Sequence, residues 1–176
     1  DGGVNGEVSF ILRNMGVSSA VSGSYLFKAP SVGQALLNLT NRNIESEFLV
    51  ADFMMPLDEC PMVFVEDLTL KSTLEEIENG QLGFTLVTDK KQQFHGIISN
   101  ADIRKGLLKQ YTQLPDLDIS QLINRNPVKI NDTNTVVEML NVIKRCPFSV
   151  MYLPVVDERN FTKGIVTFVN LIKSEL

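Results

Sequence analysis

Gly96-Ile97-Ile98-Ser99-Asn100-Ala101-Asp102-Ile103 returns 68 residues later as Gly164-Ile165-Val166-Thr167-Phe168-Val169-Asn170-Leu171. Each stretch opens on glycine, runs through two β-branched residues to a hydroxyl side chain, and sets Asp or Asn three positions further on. β-Branched residues favour strands, and a hydroxyl followed at that spacing by a carboxylate favours a helix start. Each stretch therefore predicts a strand that turns directly into a helix. Outward from the first copy, Phe84-Thr85-Leu86-Val87-Thr88, a turn at Asp89-Lys90-Lys91 and the run from Phe94 to Ser99 predict two strands around a tight turn. Ahead of them Leu70, Leu74 and Ile77 recur at helical spacing, with Asn79-Gly80 as the stop, and a further helix is expected over about residues 100–109.

The order repeats around the second copy. Residues 128–130 predict a short strand, and Val136, Met139, Leu140 and Ile143 line one face of a helix ending near Arg145. Tyr152-Leu153-Pro154-Val155-Val156, a turn over 157–160 and Lys163-Gly164-Ile165-Val166-Thr167 predict the second strand pair, and residues 168–175 a closing helix. Two β-α-β-β-α units follow, in a fold of the α/β (α+β) class, with boundaries expected at 46–112 and 113–176. Cys60-Pro61 and Asn126-Pro127 occupy matching places ahead of the first strand of each unit, where proline fixes the entering backbone.

The two octets, with Leu153-Pro154-Val155-Val156-Asp157 before the second, resemble the strand-to-helix signature of CBS domains. The resemblance covers about 120 residues, from about Asp52 to Leu176. It implies that the repeats pack about a pseudo-two-fold axis and that clefts between them bind AMP, ADP, ATP, S-adenosylmethionine or a related ligand. It further implies that Ser99 and Thr167 contact phosphate while Asp102 and Asn170 face ribose.

The chemistry of those positions supports two readings. A helix N-terminus presents unpaired N–H groups and a partial positive charge, which favour a phosphate, and a nearby carboxylate can accept from two ribose hydroxyls. The same Ser-x-x-Asp pattern is close to a capping box, which needs no ligand. Asn170 lacks the charge that strengthens hydrogen bonds to a diol, so at most one good site is expected, at Ser99 and Asp102. Met62, Val63 and Val128 either flank an adenine ring or belong to the core.

Residues 1–45 follow another pattern: Asp1-Gly2-Gly3-Val4-Asn5, an apolar helix ending at Asn14-Met15-Gly16, then Ala20-Val21-Ser22-Gly23-Ser24-Tyr25-Leu26-Phe27. The order predicted is loop, helix, strand, loop, helix, with a linker over 38–47. Residues 1–27 resemble the last βα units of the ribulose-phosphate 3-epimerase barrel. The resemblance implies that Gly2, Gly3, Gly23 and Ser24 hold a substrate phosphate and that Asp1 is a metal ligand and acid/base group in a complete barrel. With one histidine in the chain, the rest of that machinery is expected in an upstream catalytic domain. Val8, Phe10, Ile11, Leu12, Val32, Leu36, Leu37 and Leu39 would then need new packing partners.

Composition narrows the remaining classes. A net charge of -5 and a pI near 4.9, with basic residues only in short pairs such as Lys90-Lys91, exclude a nucleic-acid surface from the reading. No apolar stretch reaches bilayer length and the first residues carry no signal-peptide pattern, so a cytoplasmic protein is expected. Cys60 and Cys146 form no metal or dithiol motif, no metal is expected in this chain, and His95 is read as a strand-end side chain. The function expected is a regulatory, non-catalytic nucleotide-sensing pair, homodimeric through its repeats, at the end of a sugar-phosphate enzyme. A ligand-free dimerisation scaffold and the regulatory tail of a phosphosugar isomerase are the alternatives.

Overall fold

The computed structural model describes residues 3–14, 17–40, 49–109 and 118–167. They form two compact units, one within 1–54, 132–152 and 166–176, the other within 55–131 and 153–165.

The first unit begins with three helices, α1 (Gly6–Asn14), α2 (Ser24–Phe27) and α3 (Val32–Thr40). Val4, Val8 and Leu12 are buried together, with Val17 and Leu39 packed against them. α1 crosses α3 at Gly6, where a methyl group would lie 3.1 Å from the Asn38 carbonyl oxygen. Ser9 Oγ donates to the Leu39 carbonyl at 2.7 Å and Arg13 Nη2 to the same oxygen at 2.6 Å. Both bonds satisfy one carbonyl that the end of α3 leaves open. The strand expected near residues 20–22 is absent: residues 17–23 form neither helix nor strand, and Val21 is 80% exposed. A strand exists only where a neighbour takes its backbone bonds, and among the described residues no strand pairs with this stretch. Nor is Asn38 the start of a linker, since α3 runs to Thr40. Of the apolar residues expected to find new partners, Val8, Ile11 and Leu12 are buried, whereas Val32, Leu36 and Leu37 stay exposed.

The same unit holds residues 49–54 and α6 (Val136–Arg145), and among the described residues the α-helices of the intervening chain are α4 (Leu70–Gly80) and α5 (Asn100–Lys109). Leu49 bridges Thr135, and Val50 N–H donates to the Asn134 carbonyl at 2.8 Å. Thr135 caps α6 in a reciprocal box: its hydroxyl accepts from Glu138 N–H at 3.2 Å and its own N–H donates to the Glu138 carboxylate at 2.8 Å. Val136, Met139 and Leu140 are buried, as the periodicity predicts.

The second unit carries one sheet and most of the other. β2 (Met62–Phe64), β3 (Phe84–Thr88) and β4 (Phe94–Ser99) form one, with β2 parallel and β4 antiparallel to the central β3. The other has the order β1-β7-β6-β5, made of β1 (Met55–Pro56), β5 (Ile130–Asn131), β6 (Tyr152–Val156) and β7 (Thr162–Thr167). The short strand expected at 128–130 thus begins at Ile130, where pairing with Val155 starts. Val63, Ile77, Val87, Ile98, Ile103, Ile119 and Ile123 form the core on the first sheet. α4 turns Thr73 and Ile77 inward and leaves Leu74 44% exposed. Its stop is also not glycine: Gly80 is the last helical residue and Gln81 takes the left-handed conformation at φ 52°. Gly80 is required instead by close packing, because a methyl there would lie 2.6 Å from Pro61 Cβ.

The repeat seen in sequence is a repeat of geometry. Asp89 Oδ1 accepts from the N–H groups of Lys91 and Gln93 at 2.8 Å, and Asp157 Oδ1 from those of Arg159 and Phe161 at 2.9 Å. His95 Nε2 lies 3.8 Å from Asp89, and Lys163 Nζ 3.3 Å from Asp157. Gln92 and Asn160 both take positive φ, 67° and 64°. The two turns also grip one another: Thr162 N–H donates to the Gln92 carbonyl at 2.8 Å and Phe94 N–H to that of Asn160 at 3.0 Å. Lys129 Nζ donates to Asn160 Oδ1 and sits 5.6 Å from the Phe94 ring centre.

Backbone N–H bonds from Gln93 and from Phe161 are the main cause holding the Asp89 and Asp157 carboxyls below the usual aspartate range. Because folding lowers these pKa values, their stabilisation is complete above about pH 4 and disappears as pH falls through the lower folded values. Urea unfolding at pH 5 and pH 3 should therefore show a smaller acid loss in the Asp89→Asn/Asp157→Asn protein than in the parent. The Thr88 and Thr162 hydroxyls are buried with no hydrogen-bond partner among the described residues. Thr88→Val or Thr162→Val removes a desolvated donor at nearly constant volume, and each is expected to raise stability by about 1 kcal/mol.

Candidate functional site

β4 ends opposite the start of β3, with Ser99 facing Phe84, and α5 begins at the residue after Ser99. Gly83, at φ 76°, turns its carbonyl toward this mouth and accepts from Asn100 N–H at 2.9 Å. Ser99 is 9% exposed and Asp102 half-buried. The Asp102 Oδ2 atom accepts from Ser99 N–H at 3.0 Å and from Ser99 Oγ–H at 2.5 Å, while Ser99 Oγ accepts from Asp102 N–H at 3.3 Å. The hydroxyl and the carboxylate expected to act together are thus brought together, and they face one another as a capping box. Among the described residues Asp102 Oδ1 receives no hydrogen bond, which leaves one carboxylate oxygen open to a donor.

Thr167 takes the matching place as the last residue of β7, 5% exposed, and Asn170 lies outside the described residues. Val63 is a core residue, and Met62 and Val128 are half-buried. Cys60 is a free thiol whose pKa is pushed up to about 12 by burial and then by the carboxylates of Glu59 and Asp58. Its Sγ–H donates to the Pro56 carbonyl at 3.2 Å, a protonated packing role with no nucleophile. Among the described residues no three His, Cys, Asp or Glu side chains gather as a metal set, and no helix is long and apolar enough to cross a membrane.

In the first unit, Gly3 and Ser24 line one cavity of about 610 Å3, together with Tyr25, Lys28, Gln34 and Asn38. Gly3 has φ 68°, and Ser24 opens α2 with Gly23 before it. Asp1 and Gly2 lie outside the described residues. Lys28, Gln34 and Asn38 are absent from the motif reading because they converge from two helices; the spacing of Gln34 and Asn38 on one face of α3 is the only local signal.

The two hairpins, each with a glycine in its second strand and a hydroxyl at its end, decide the fold. It is that of a CBS pair. Residues 119–176 match the CBS domain family. A CBS domain-containing protein from Bacillus anthracis str. Ames Ancestor superposes with a TM-score of 0.62 at 20% identity, over 73% of this chain and 92% of that one. CBSX2 in complex with AMP gives 0.60 at 20% identity, over 72% of this chain and 95% of that one. CbpB in complex with c-di-AMP gives 0.59 at 21% identity, over 72% and 83%. In sequence, the chain is 31% identical over 123 residues to the uncharacterized protein RP505 of Rickettsia prowazekii (strain Madrid E). That match takes in 70% of this chain and 36% of the Rickettsia protein, so the chain spans about a third of that relative's length.

Proposed function

We propose that this CBS pair is a regulatory sensor of an adenine nucleotide and that Ser99 and Asp102 form its working site. The observation that carries the reading is the pairing of a buried hydroxyl and a half-buried carboxylate at the mouth of α5. It stands in a fold shared with proteins crystallised with AMP and with c-di-AMP. The α5 N-terminus favours a phosphate beside Ser99, and the carboxylate favours a ribose diol. Thr167 and Asn170 make the weaker second site, for want of a carboxylate at Asn170.

Calorimetry and thermal shift against AMP, ADP, ATP, S-adenosylmethionine and c-di-AMP test this directly. A ligand at 100 times its dissociation constant stabilises the native state by about 2.7 kcal/mol, a shift of several degrees for a chain of this size. The expected result is saturable binding of one adenine nucleotide. No shift with any of them at millimolar concentration would leave a dimerisation scaffold, a reading favoured by the mutual bonding of Ser99 and Asp102. The meeting of Gly3 and Ser24 at one cavity supports the phosphate-holding part of the epimerase resemblance, while Gly23 does not line that cavity and the strand a barrel end needs is absent from residues 17–23. On that reading the pair regulates a sugar-phosphate enzyme, of which an epimerase or a phosphosugar isomerase is the parent.

A further inference from the structure

We infer that occupancy of the Ser99–Asp102 mouth is read out through residues 119–124, the stretch that leads into the second repeat; the inference rests on the nucleotide reading above. Ser99 and Asp102 are engaged with one another through a hydroxyl–carboxylate bond of 2.5 Å and two backbone bonds of 3.0 and 3.3 Å. A nucleotide that draws the Ser99 hydroxyl to its phosphate takes that donor from Asp102 Oδ2, while its ribose takes the open Oδ1, and the loss of the hydroxyl–carboxylate bond rebuilds the first turn of α5. That turn does not move alone. Ile103, beside Asp102, is 4% exposed and packs in one cluster with Ile119 and Ile123. One turn further, Gly106 has no spare room: a methyl there would lie 2.5 Å from Leu122 Cδ2.

The strand entering the site carries the same stretch. Ile97 N–H donates to the Asn124 carbonyl at 3.1 Å, and Asn124 N–H donates back to Ile97 at 2.9 Å. Gly96, at φ 142°, is the surface against which the Asn124 carbonyl lies. Residues 119–124 are thus held by both elements that meet at Ser99, the strand before it and the helix after it. A rebuilt helix turn changes its seat on Ile119, Leu122 and Ile123, and the two bonds between Ile97 and Asn124 take up the difference. The ligand acts by differential contact with two arrangements of one packed element, which is what coupling between sites requires.

Amide hydrogen exchange at Ile97 and Asn124, followed by NMR with and without saturating AMP, tests the link. The expected result is a change of at least about fivefold at both amides, larger than at amides in α4. Ser99→Ala in the free chain opens the box without ligand and is expected to move the same two amides. Leu122→Ala is expected to keep AMP affinity and to diminish the response at Asn124. Calorimetric binding of AMP with unchanged exchange at both amides would overturn the link and leave the nucleotide reading intact. Absence of binding by AMP, ADP, ATP, S-adenosylmethionine and c-di-AMP alike, with a response to Ser99→Ala, would overturn the nucleotide reading and leave the link. Absence of both would overturn both.

Discussion

Gly164→Ala is expected to cost about 3 kcal/mol or more and to broaden or abolish the unfolding transition, as is Gly96→Ala. The reason is the same in both repeats. A methyl group on Gly164 would overlap the carbonyl oxygen of Met55, and one on Gly96 that of Asn124. In each case the obstacle is backbone, which has no rotamer by which to yield. Met55 pairs with Ile165 and Asn124 with Ile97, so each glycine admits the segment that leads into the other repeat. Gly96 adds a conformational cost, since its φ of 142° is one that a side chain strongly disfavours. Displacing either segment unpairs a strand and exposes core around it, so the damage spreads across both repeats. Urea denaturation followed by circular dichroism and by Tyr fluorescence would show it, with Gly33→Ala, in open surroundings, as the neutral control. Two wild-type-like transitions for Gly96→Ala and Gly164→Ala would mean that the repeats do not depend on these crossings.

Much of this arrangement was legible in the sequence, and the part that was not has a physical origin. The hairpins, α5 and α6 fall where turn residues and periodicity predict, because Asp-initiated turns and helix faces are written within a few residues. The pairings of Met55 with Ile165 and of Asn124 with Ile97 are not local and leave no mark except Gly164 and Gly96. The missing strand near residue 21 fails for the complementary reason: Ala20-Val21-Ser22 is predicted as a strand and has no strand to pair with among the described residues. Leu74 satisfies helical spacing but the packing of α4 selects Thr73 and Ile77, with the Thr73 hydroxyl returning to the Thr69 carbonyl at 2.7 Å. Left-handed Gln81 and Gln92 stand where Gly or Asn is the usual signal, so their conformation has no mark in the sequence. Ser99 and Asp102 were legible as a pair because a helix start is local, whereas the cavity at Gly3 and Ser24 draws on three segments.

Asp102 is where capping and ligand recognition make different quantitative demands, so its variants carry the second large expected effect. Asp102→Ala deletes the acceptor of two bonds at the start of α5, and loss of such a cap costs about 1 kcal/mol of stability. If the carboxylate also receives a ribose diol, its removal takes away charge-assisted bonds of about 1.5–3 kcal/mol, a loss of roughly 10- to 100-fold in affinity. Asp102→Asn separates the two contributions. The amide oxygen still accepts from Ser99, so most of the stability should return, while the neutral group recovers only part of the affinity. A thermal melt and a calorimetric AMP titration on the parent and both variants give the two axes. An affinity loss that exceeds the stability loss, and persists in Asp102→Asn, assigns the carboxylate to the ligand. Equal affinity in all three proteins, with only Asp102→Ala melting lower, reduces Asp102 to the cap of α5 and moves any nucleotide site to the other repeat.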